Sequence, residues 1–345
     1  MTNILKALFV LIVLALLLDS CCSYKEKRVI VRDTVLTDVS VDTIFFDNTP
    51  ELVYDSTLPD IIIKPFEFKV EGDFFWGKEE LLYPKKDNVL SKMDWEHDGF
   101  KVVKAFKDEE FKKLQSSIRQ IIVEALKENN ISVAADFQLQ DYHKYVTSGE
   151  LHNKIISITR NLETLDFDFD IDKLAERFGN ILGYKLTSWV EELQKSHIQI
   201  RISRPNSLDI NPPHRDGYLS YWENIINVWL PITGCNKKSS LPVVSGSHLL
   251  SEDKILRTKS KGAKINGNVY YVPCILEAKS GALQMIRPNP KEGEALLFTP
   301  FLIHGAAVNK SKNTTRVALE FSNAFMSTLD KSHPPASIEC INASP

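Results

Sequence analysis

The sequence predicts a mainly β fold with flanking helices, a sheet sandwich or barrel with its helices packed outside. Three observations carry this expectation. Residues with helical apolar spacing are concentrated before Leu186. After it come short strand-like runs, "HIQIRISR" (197–204), "INVWLPI" (226–232), "ALQMIRP" (282–288), "EALLFTP" (294–300) and "TRVALEFSNAF" (315–325). Turn-rich stretches such as "TGCNKKSS" and "VSGSH" separate several of them. Helices first and many strands afterwards suit two packed sheets buttressed on the outside. A chain of 345 residues can bury such a core without covalent staples.

The N-terminus has a different character. Residues 7–18, "ALFVLIVLALLL", are an unbroken apolar run, and "LDSC" follows, ending at Cys21. The run has the length of a signal-peptide core and falls short of the about twenty residues a spanning helix uses. The last four residues resemble a lipoprotein cleavage box, from which Asp19 departs. We therefore expect a signal peptide or membrane anchor over 1–22, and membrane association through it. Lys25, Lys27, Arg28 and Arg32 follow the run, which favours a cytoplasmic-facing bulk over an exported one. Residues 23–90 are polar, acidic and β-leaning. "RVIVRDTVLTDVSVDTIFF" alternates as strands do, and Pro50, Pro59, Pro65 and Pro84 divide the rest into short extended pieces. They read as an N-terminal extension that names no function.

From 91 to the end the chain reads as one domain. Asp98-Gly99 makes a turn, Phe100 to Val103 a strand, and Asp108 opens a helix as its cap. Phe111, Leu114, Ile118, Ile121, Ile122 and Leu126 form one apolar stripe along that helix. A second helix is expected over 171–183.

A net charge of −3 leaves no basic footprint for nucleic acid. Five scattered cysteines, with no CxxC pair, exclude a disulfide framework and a thiolate zinc site. Any metal chemistry therefore falls on histidines and carboxylates.

"NPPHRDGY" (211–218) carries His214 and Asp216 two residues apart, so on extended backbone both side chains leave one face. His304, in "FTPFLIHGAAVNKS", lies just past the strand "EALLF" with Gly305 behind it. Arg316 opens the strand "RVALEF", sharing a face with Ala318 and opposite Val317, Leu319 and Phe321. A guanidinium so far inside needs an acid partner. Two histidines and one carboxylate on one side of an ion leave positions open, the ligand set of non-haem Fe(II). A closed structural zinc site would take four ligands. Each piece has a plainer reading as a polar turn or a capped loop.

Together, "DWEHDGFKVVKAF", "NPPHRDGYLSYW", "INVWLPIT…LPVVSGSHLL" and "GEALLFTPFLIHGAAVNKSKNTTRVALEFS" resemble the Fe(II)/2-oxoglutarate dioxygenases, and within them the phytanoyl-CoA dioxygenase (PhyH) family. The resemblance runs from about residue 94 to about 323 and leaves out 1–90. It implies a double-stranded β-helix, the jelly-roll or cupin-like barrel. It implies His214, Asp216 and His304 as iron ligands, Arg316 as the partner of the far carboxylate of 2-oxoglutarate, and O2 as cosubstrate. It implies hydroxylation of an unactivated C–H bond with release of succinate and CO2. Family halogenases replace the carboxylate ligand with a small residue, so Asp216 favours hydroxylation.

Gln199 and Arg201 alternate with Ile198, Ile200 and Ile202, and Asn227 and Trp229 do the same on their strand. Gln199 or Asn227 can hydrogen-bond the cosubstrate. Arg201, Tyr218 and Trp222 can line the substrate pocket, although core packing suits the last two equally well. The expected substrate is a small molecule. A membrane segment would turn that expectation toward a lipid, glycolipid or surface-polymer precursor; family members also act on secondary metabolites. Two other readings stay open: a 2-oxoglutarate-independent cupin-type metalloenzyme, and a membrane-tethered binding module with an inactive site.

Overall fold

The computed structural model describes residues 44–47, 51–55, 58–63, 67–71, 74–77 and 93–325, except 208, 210, 220, 221, 223, 224, 259–262, 266, 267, 271 and 306. The apolar run 7–18 and Cys21 lie outside the described residues. The expected membrane association is corrected: among the described residues, no helix is long and apolar enough to cross a membrane.

In chain order, the first strands are β1 (Ile44–Asp47), β2 (Glu51–Asp55), β3 (Leu58–Ile63), β4 (Glu67–Glu71) and β5 (Phe74–Trp76). Strand β6 (Phe100–Lys104) then leads into helix α1 (Asp108–Glu128). Asp108 proves to be the first helical residue, with Lys107 as the cap. Asp108, Glu109 and Glu110 crowd the first turn, where the helix dipole favours negative charge. The predicted stripe is the buried face, with Leu114, Ile118, Ile122 and Leu126 fully enclosed. Replacing Leu114 with Ala would cost about 2–5 kcal/mol.

Helix α2 (Gly149–Thr159) is capped by Ser148, whose hydroxyl accepts from the Leu151 amide at 3.1 Å. Helix α3 (Asp172–Leu182) ends on Gly183 at φ 74°, a left-handed conformation glycine adopts without strain. Short strands β7 (Leu186–Thr187), β8 (Trp189–Val190) and β9 (Lys195–Ser196) follow. The remainder is β10 (Ile198–Ser203), β11 (Ile225–Thr233), β12 (Ile255–Thr258), β13 (Ala263–Ile265), β14 (Asn268–Tyr270), β15 (Ile275–Ala278), β16 (Ile286–Arg287), β17 (Glu294–Phe298) and β18 (Arg316–Phe325). The expected strand over 282–288 shrinks to the two residues of β16.

The larger sheet is antiparallel in the order β10-β18-β11-β17-β6, with β7 added to β18. Period-2 alternation divides its two faces. Val317, Leu319 and Phe321, with Ile198, Ile200, Ile202, Val228 and Leu230, pack outward against the helices in one apolar cluster. The Phe178 and Phe321 ring centres are 5.7 Å apart across that layer. The inward face carries Ala318, Trp229, Leu296 and Phe298, which meet Leu241, Val243 and Leu302 from the opposite side.

That opposite side is a second sheet built of short pieces. Strands β5, β12 and β15 pair side by side. The Ile275 amide of β15 donates to the Pro213 carbonyl. Single bridges then join His214 to His304, His304 to Val243, and Val243 to Ile286 of β16. Beyond Ile286 lie β2, parallel to β16, and β3, antiparallel to β2. Residues before 90 thus supply strands at both ends of this second sheet. The two facing sheets make a double-stranded β-helix, mainly β, with helices against one face.

Candidate metal centre

The prolines of "NPPH" carry no amide hydrogen, so the backbone leading to His214 can be held only through its carbonyls. Pro213 O accepts from Ile275, as above, and Pro212 O accepts from the His214 ring at 2.6 Å. His214 and His304 are backbone neighbours: His214 N donates to His304 O at 2.9 Å and His304 N to His214 O at 3.1 Å. Gly305 has φ 117°, and a Cβ there would overlap the Pro212 carbonyl. Only glycine lets the two segments approach this closely.

Arg215 is extended (φ −115°, ψ 133°), so His214 and Asp216 leave the same face, as the two-residue spacing requires. His214 Nε2 lies 3.3 Å from Asp216 Oδ1 and His304 Nε2 3.5 Å from Asp216 Oδ2. The candidate ligand atoms all lie within 4.8 Å of one another. Each Nδ1 faces a backbone carbonyl, His214 on Pro212 and His304 on Leu302 at 3.0 Å. Nδ1–H is therefore the donor in each ring, which turns both Nε2 atoms to the common point, where each offers a lone pair once a cation is bound. Burial, the largest influence on both rings, lowers the pKa of His304, while at His214 the hydrogen bond and charge of Asp216 outweigh it and raise the pKa. Burial would raise Asp216, but the two imidazoles outweigh it and hold the carboxyl well below its ordinary range. Two nitrogen lone pairs and a carboxylate converging on one buried point fit a divalent transition metal. The side chains that face each other here stand where a cation would.

Arg215, between the two ligand candidates, points away from that centre. It donates to Glu252 Oε1 at 2.6 Å, to Leu250 O at 2.9 Å and to Ser247 O. Arg257 Nε takes the other Glu252 oxygen at 2.8 Å, and Tyr218 OH donates to Glu252 Oε1 at 3.2 Å. Both Arg215 and Glu252 are 2% exposed, so the pair ties the His214–Asp216 turn to the 247–254 segment in a place without competing water. Trp222 is buried, edge-on to the His197 ring with centres 4.8 Å apart.

On the other side of the histidines lies a pocket of roughly 490 Å³, open mouth included. His214, His304, Trp229, Leu241 and Ala307 wall it, with Arg316 among them. Arg316 is 4% exposed. Its Nη2 donates to Ala307 O at 3.4 Å, while its Nε has no hydrogen-bond partner among the described residues. Its guanidinium carbon stands 5.5 Å from the Trp229 ring centre. Burial pulls its pKa down to about 10, so it is still a cation at neutral pH.

Arg201 also lines the pocket, with its guanidinium fork closed on Glu320, both bonds 2.9 Å. Burial would raise Glu320, but Arg201 holds the carboxyl below its usual range. Asn227 Nδ2 donates to Asp216 Oδ2 at 2.7 Å. Gln199 Nε2 lies 2.9 Å from His197 Nε2. Sequence reasoning missed Glu320, Glu252 and His197. The period-2 pattern that found Arg316 and Ala318 also places Glu320 on their face, so that signal was present.

The chain matches the profile of the phytanoyl-CoA dioxygenase (PhyH) family over residues 95–318. No curated protein matches it. Among solved structures it is similar to EctD from S. alaskensis with 2-oxoglutarate and 5-hydroxyectoine, at 15% identity over 73% of this chain and 84% of that one (TM-score 0.41). It is also similar to AviO1 from Streptomyces viridochromogenes Tue57, at 15% over 70% and 93% (TM-score 0.36). A third is the non-heme alpha ketoglutarate dependent epimerase SnoN from nogalamycin biosynthesis, at 13% over 67% and 78% (TM-score 0.37). Likeness of this degree fixes neither substrate nor reaction. The profile match spans well over half of the sequence, and the chain belongs to the phytanoyl-CoA dioxygenase family.

Proposed function

We propose that this protein is an Fe(II)- and 2-oxoglutarate-dependent oxygenase that hydroxylates an unactivated C–H bond of a small molecule. One observation carries the reading: three ligand atoms converge on a buried point, beside a pocket that His214 and His304 wall together with a buried arginine, one N–H of which is unused among the described residues. His214, Asp216 and His304 would hold the iron, and Arg316 the far carboxylate of 2-oxoglutarate, for which its fork is suited. When bound, the iron and 2-oxoglutarate supply the oxidising chemistry, 2-oxoglutarate leaving as succinate and CO2 while one oxygen atom of O2 enters the substrate.

The protein's own share is positional. The carbonyls of Pro212 and Leu302 hold both imidazoles as lone-pair donors, and Asn227 holds the Asp216 carboxylate. Trp229, Leu241 and Ala307 keep water from the reacting centre, which protects a reactive oxidant from side reactions. The charged side chains Arg160, Arg201, Asp209 and Glu320 also line the pocket, which supports a small polar substrate over a long acyl chain. In this reading the catalytic domain is residues 91–345, with β2, β3 and β5 bound to its second sheet and β4, which carries β1, paired to β13 in a separate sheet.

The test is succinate release by the full-length chain supplied with Fe(II), 2-oxoglutarate and oxygen, beside His214→Ala, Asp216→Ala and Arg316→Ala. Succinate from the parent alone is the expected result. Should the parent give none, and no charge-transfer band form anaerobically with iron bound, the 2-oxoglutarate assignment falls. A 2-oxoglutarate-independent metalloenzyme would then lead. A parent that binds no iron would point to a binding module.

A further inference from the structure

A chain of hydrogen bonds runs outward from Asp216, and its polarity can be worked out link by link. Asp216 as a carboxylate only accepts, so Asn227 must turn its NH2 toward it. The Asn227 oxygen then faces the Ser322 hydroxyl at 3.4 Å and needs a donor, so Ser322 gives it the hydroxyl hydrogen. Having used its single hydrogen, Ser322 Oγ can only accept from His197 Nδ1, 3.1 Å away. His197 is thereby the Nδ1–H tautomer, and its Nε2 must accept from the Gln199 NH2 at 2.9 Å. Every link points the same way, from Gln199 through His197, Ser322 and Asn227 to the carboxylate.

The far end of the chain is consistent with this direction. The buried Gln199 Oε1 has no hydrogen-bond partner among the described residues. An orphan acceptor there is unfavourable in itself, but it follows once the NH2 is committed to His197.

We propose that His197 is a positioning residue of the metal centre, setting the polarity of a one-way donor chain that ends on Asp216. The proposal rests on the reading of His214, Asp216 and His304 as metal ligands. In the opposite tautomer His197 would draw the Ser322 hydrogen to itself. Asn227 Oδ1 would then face a lone pair, a repulsion its amide could relieve only by turning its oxygen on the Asp216 carboxylate, so one end of the amide would always be set against an acceptor. Three features hold His197 in place. The Ser322 amide donates to its backbone carbonyl at 3.1 Å, Trp222 packs edge-on to its ring, and Gln199 occupies Nε2. Burial, opposed by Glu320, lowers the His197 pKa, in keeping with a neutral ring. The other charged groups near it are Arg201, Asp216 and Lys195.

Partners beyond the ligands orient them, and their loss typically weakens metal binding about 10- to 100-fold. The experiment titrates Co(II) into the full-length protein without oxygen and follows the visible absorption of the bound ion. His197→Phe keeps an aromatic ring against Trp222 and removes both nitrogens, while Ser322→Ala cuts the chain one link further in. Both should weaken Co(II) about 10-fold or more and alter its spectrum, at unchanged circular dichroism. His197→Asn, which returns an N–H toward Ser322, should restore most of the affinity. The double variant His197→Phe/Ser322→Ala should bind no worse than the weaker single one, since both break one chain. If the parent binds Co(II) and Ser322→Ala and His197→Asn match His197→Phe at parental affinity and spectrum, the positioning role is wrong and the metal site stands. Additive losses in the double variant would also overturn it, as two unrelated packing effects. A parent that binds no Co(II) removes both this role and the metal reading beneath it.

Discussion

His214 and His304 meet as backbone before they meet as side chains: their amides and carbonyls exchange two hydrogen bonds, 2.9 and 3.1 Å long. Their ring centres follow at 4.4 Å. The spacing of the two nitrogens is therefore set by a β-bridge, which loop motion cannot easily stretch. The bridge depends on Gly305, whose positive φ and missing Cβ admit the Pro212 carbonyl. Gly305→Ala should cost about 1–3 kcal/mol from the strained φ alone, more from the overlap, and should displace the carbonyl that orients His214. Chemical denaturation and Fe(II) titration would show both losses. Unchanged iron affinity would mean that the bridge does not set the ligand spacing.

Arg316 should tolerate no substitution, lysine included. A lysine keeps the charge but not the planar fork. Losing one charge-assisted hydrogen bond of about 1.5–3 kcal/mol predicts a roughly 10- to 100-fold weaker affinity for 2-oxoglutarate, with iron affinity nearly unchanged. Anaerobic titration of the iron-loaded protein with 2-oxoglutarate measures this directly. Equal affinity in Arg316→Lys would remove Arg316 from the cosubstrate site.

Acid should weaken the fold through His152. Its Nδ1 lies 3.1 Å from Tyr142 OH and its Nε2 3.4 Å from Asp209. Burial, the largest influence, lowers its pKa from 6.5 to about 4 against the opposing charge of Asp209. Above pH 6.5 neither folded nor unfolded chain holds the proton, and the stabilisation is complete. Between 6.5 and 4 only the unfolded chain takes it up, so stability falls as pH falls; below 4 both hold it and the loss ends. Such a shift is on the order of 3 kcal/mol. Denaturation midpoints across that window should fall less steeply for His152→Gln than for the parent, whatever its stability at pH 7. Parallel slopes would refute this.

A chain begun at residue 91 would lack β1 to β5. It would leave β12, β13 and β16 as open edges, of the kind that recruits other chains. We expect a lower unfolding temperature than the full-length protein and concentration-dependent aggregation, measured by thermal scanning and light scattering. A truncated protein as stable and as monodisperse as the parent would make the N-terminal strands dispensable.

The legible parts of this protein were those written in local pattern. Leu114, Ile118 and Ile122 announce the buried face of α1 by their spacing alone. The two-residue step from His214 to Asp216 gives their common face. Alternation placed Gln199, Arg201 and Asn227 correctly on inward faces, because pleating decides that within each strand. Their partners were not legible. Asn227 meets Asp216 and Arg201 meets Glu320 through strand register and a turn, neither of which a single strand encodes. Helix α2 was missed altogether, since its buried positions His152, Ile155, Ile156 and Thr159 mix polar with apolar residues and blur the stripe. The short extended pieces before residue 90 were visible, but their pairing with β12, β13 and β16 is a long-range matter.

That pairing has a consequence in time. Strands β2 and β4 are made early by the ribosome, yet their partners β16 and β13 come near the end of the chain. Contacts so distant in sequence carry a large closure cost and form slowly. The pairs β1–β4 and β2–β3 can form at once, but they wait for β13 and β16 through most of synthesis, so this early-made segment is among the last to find its place.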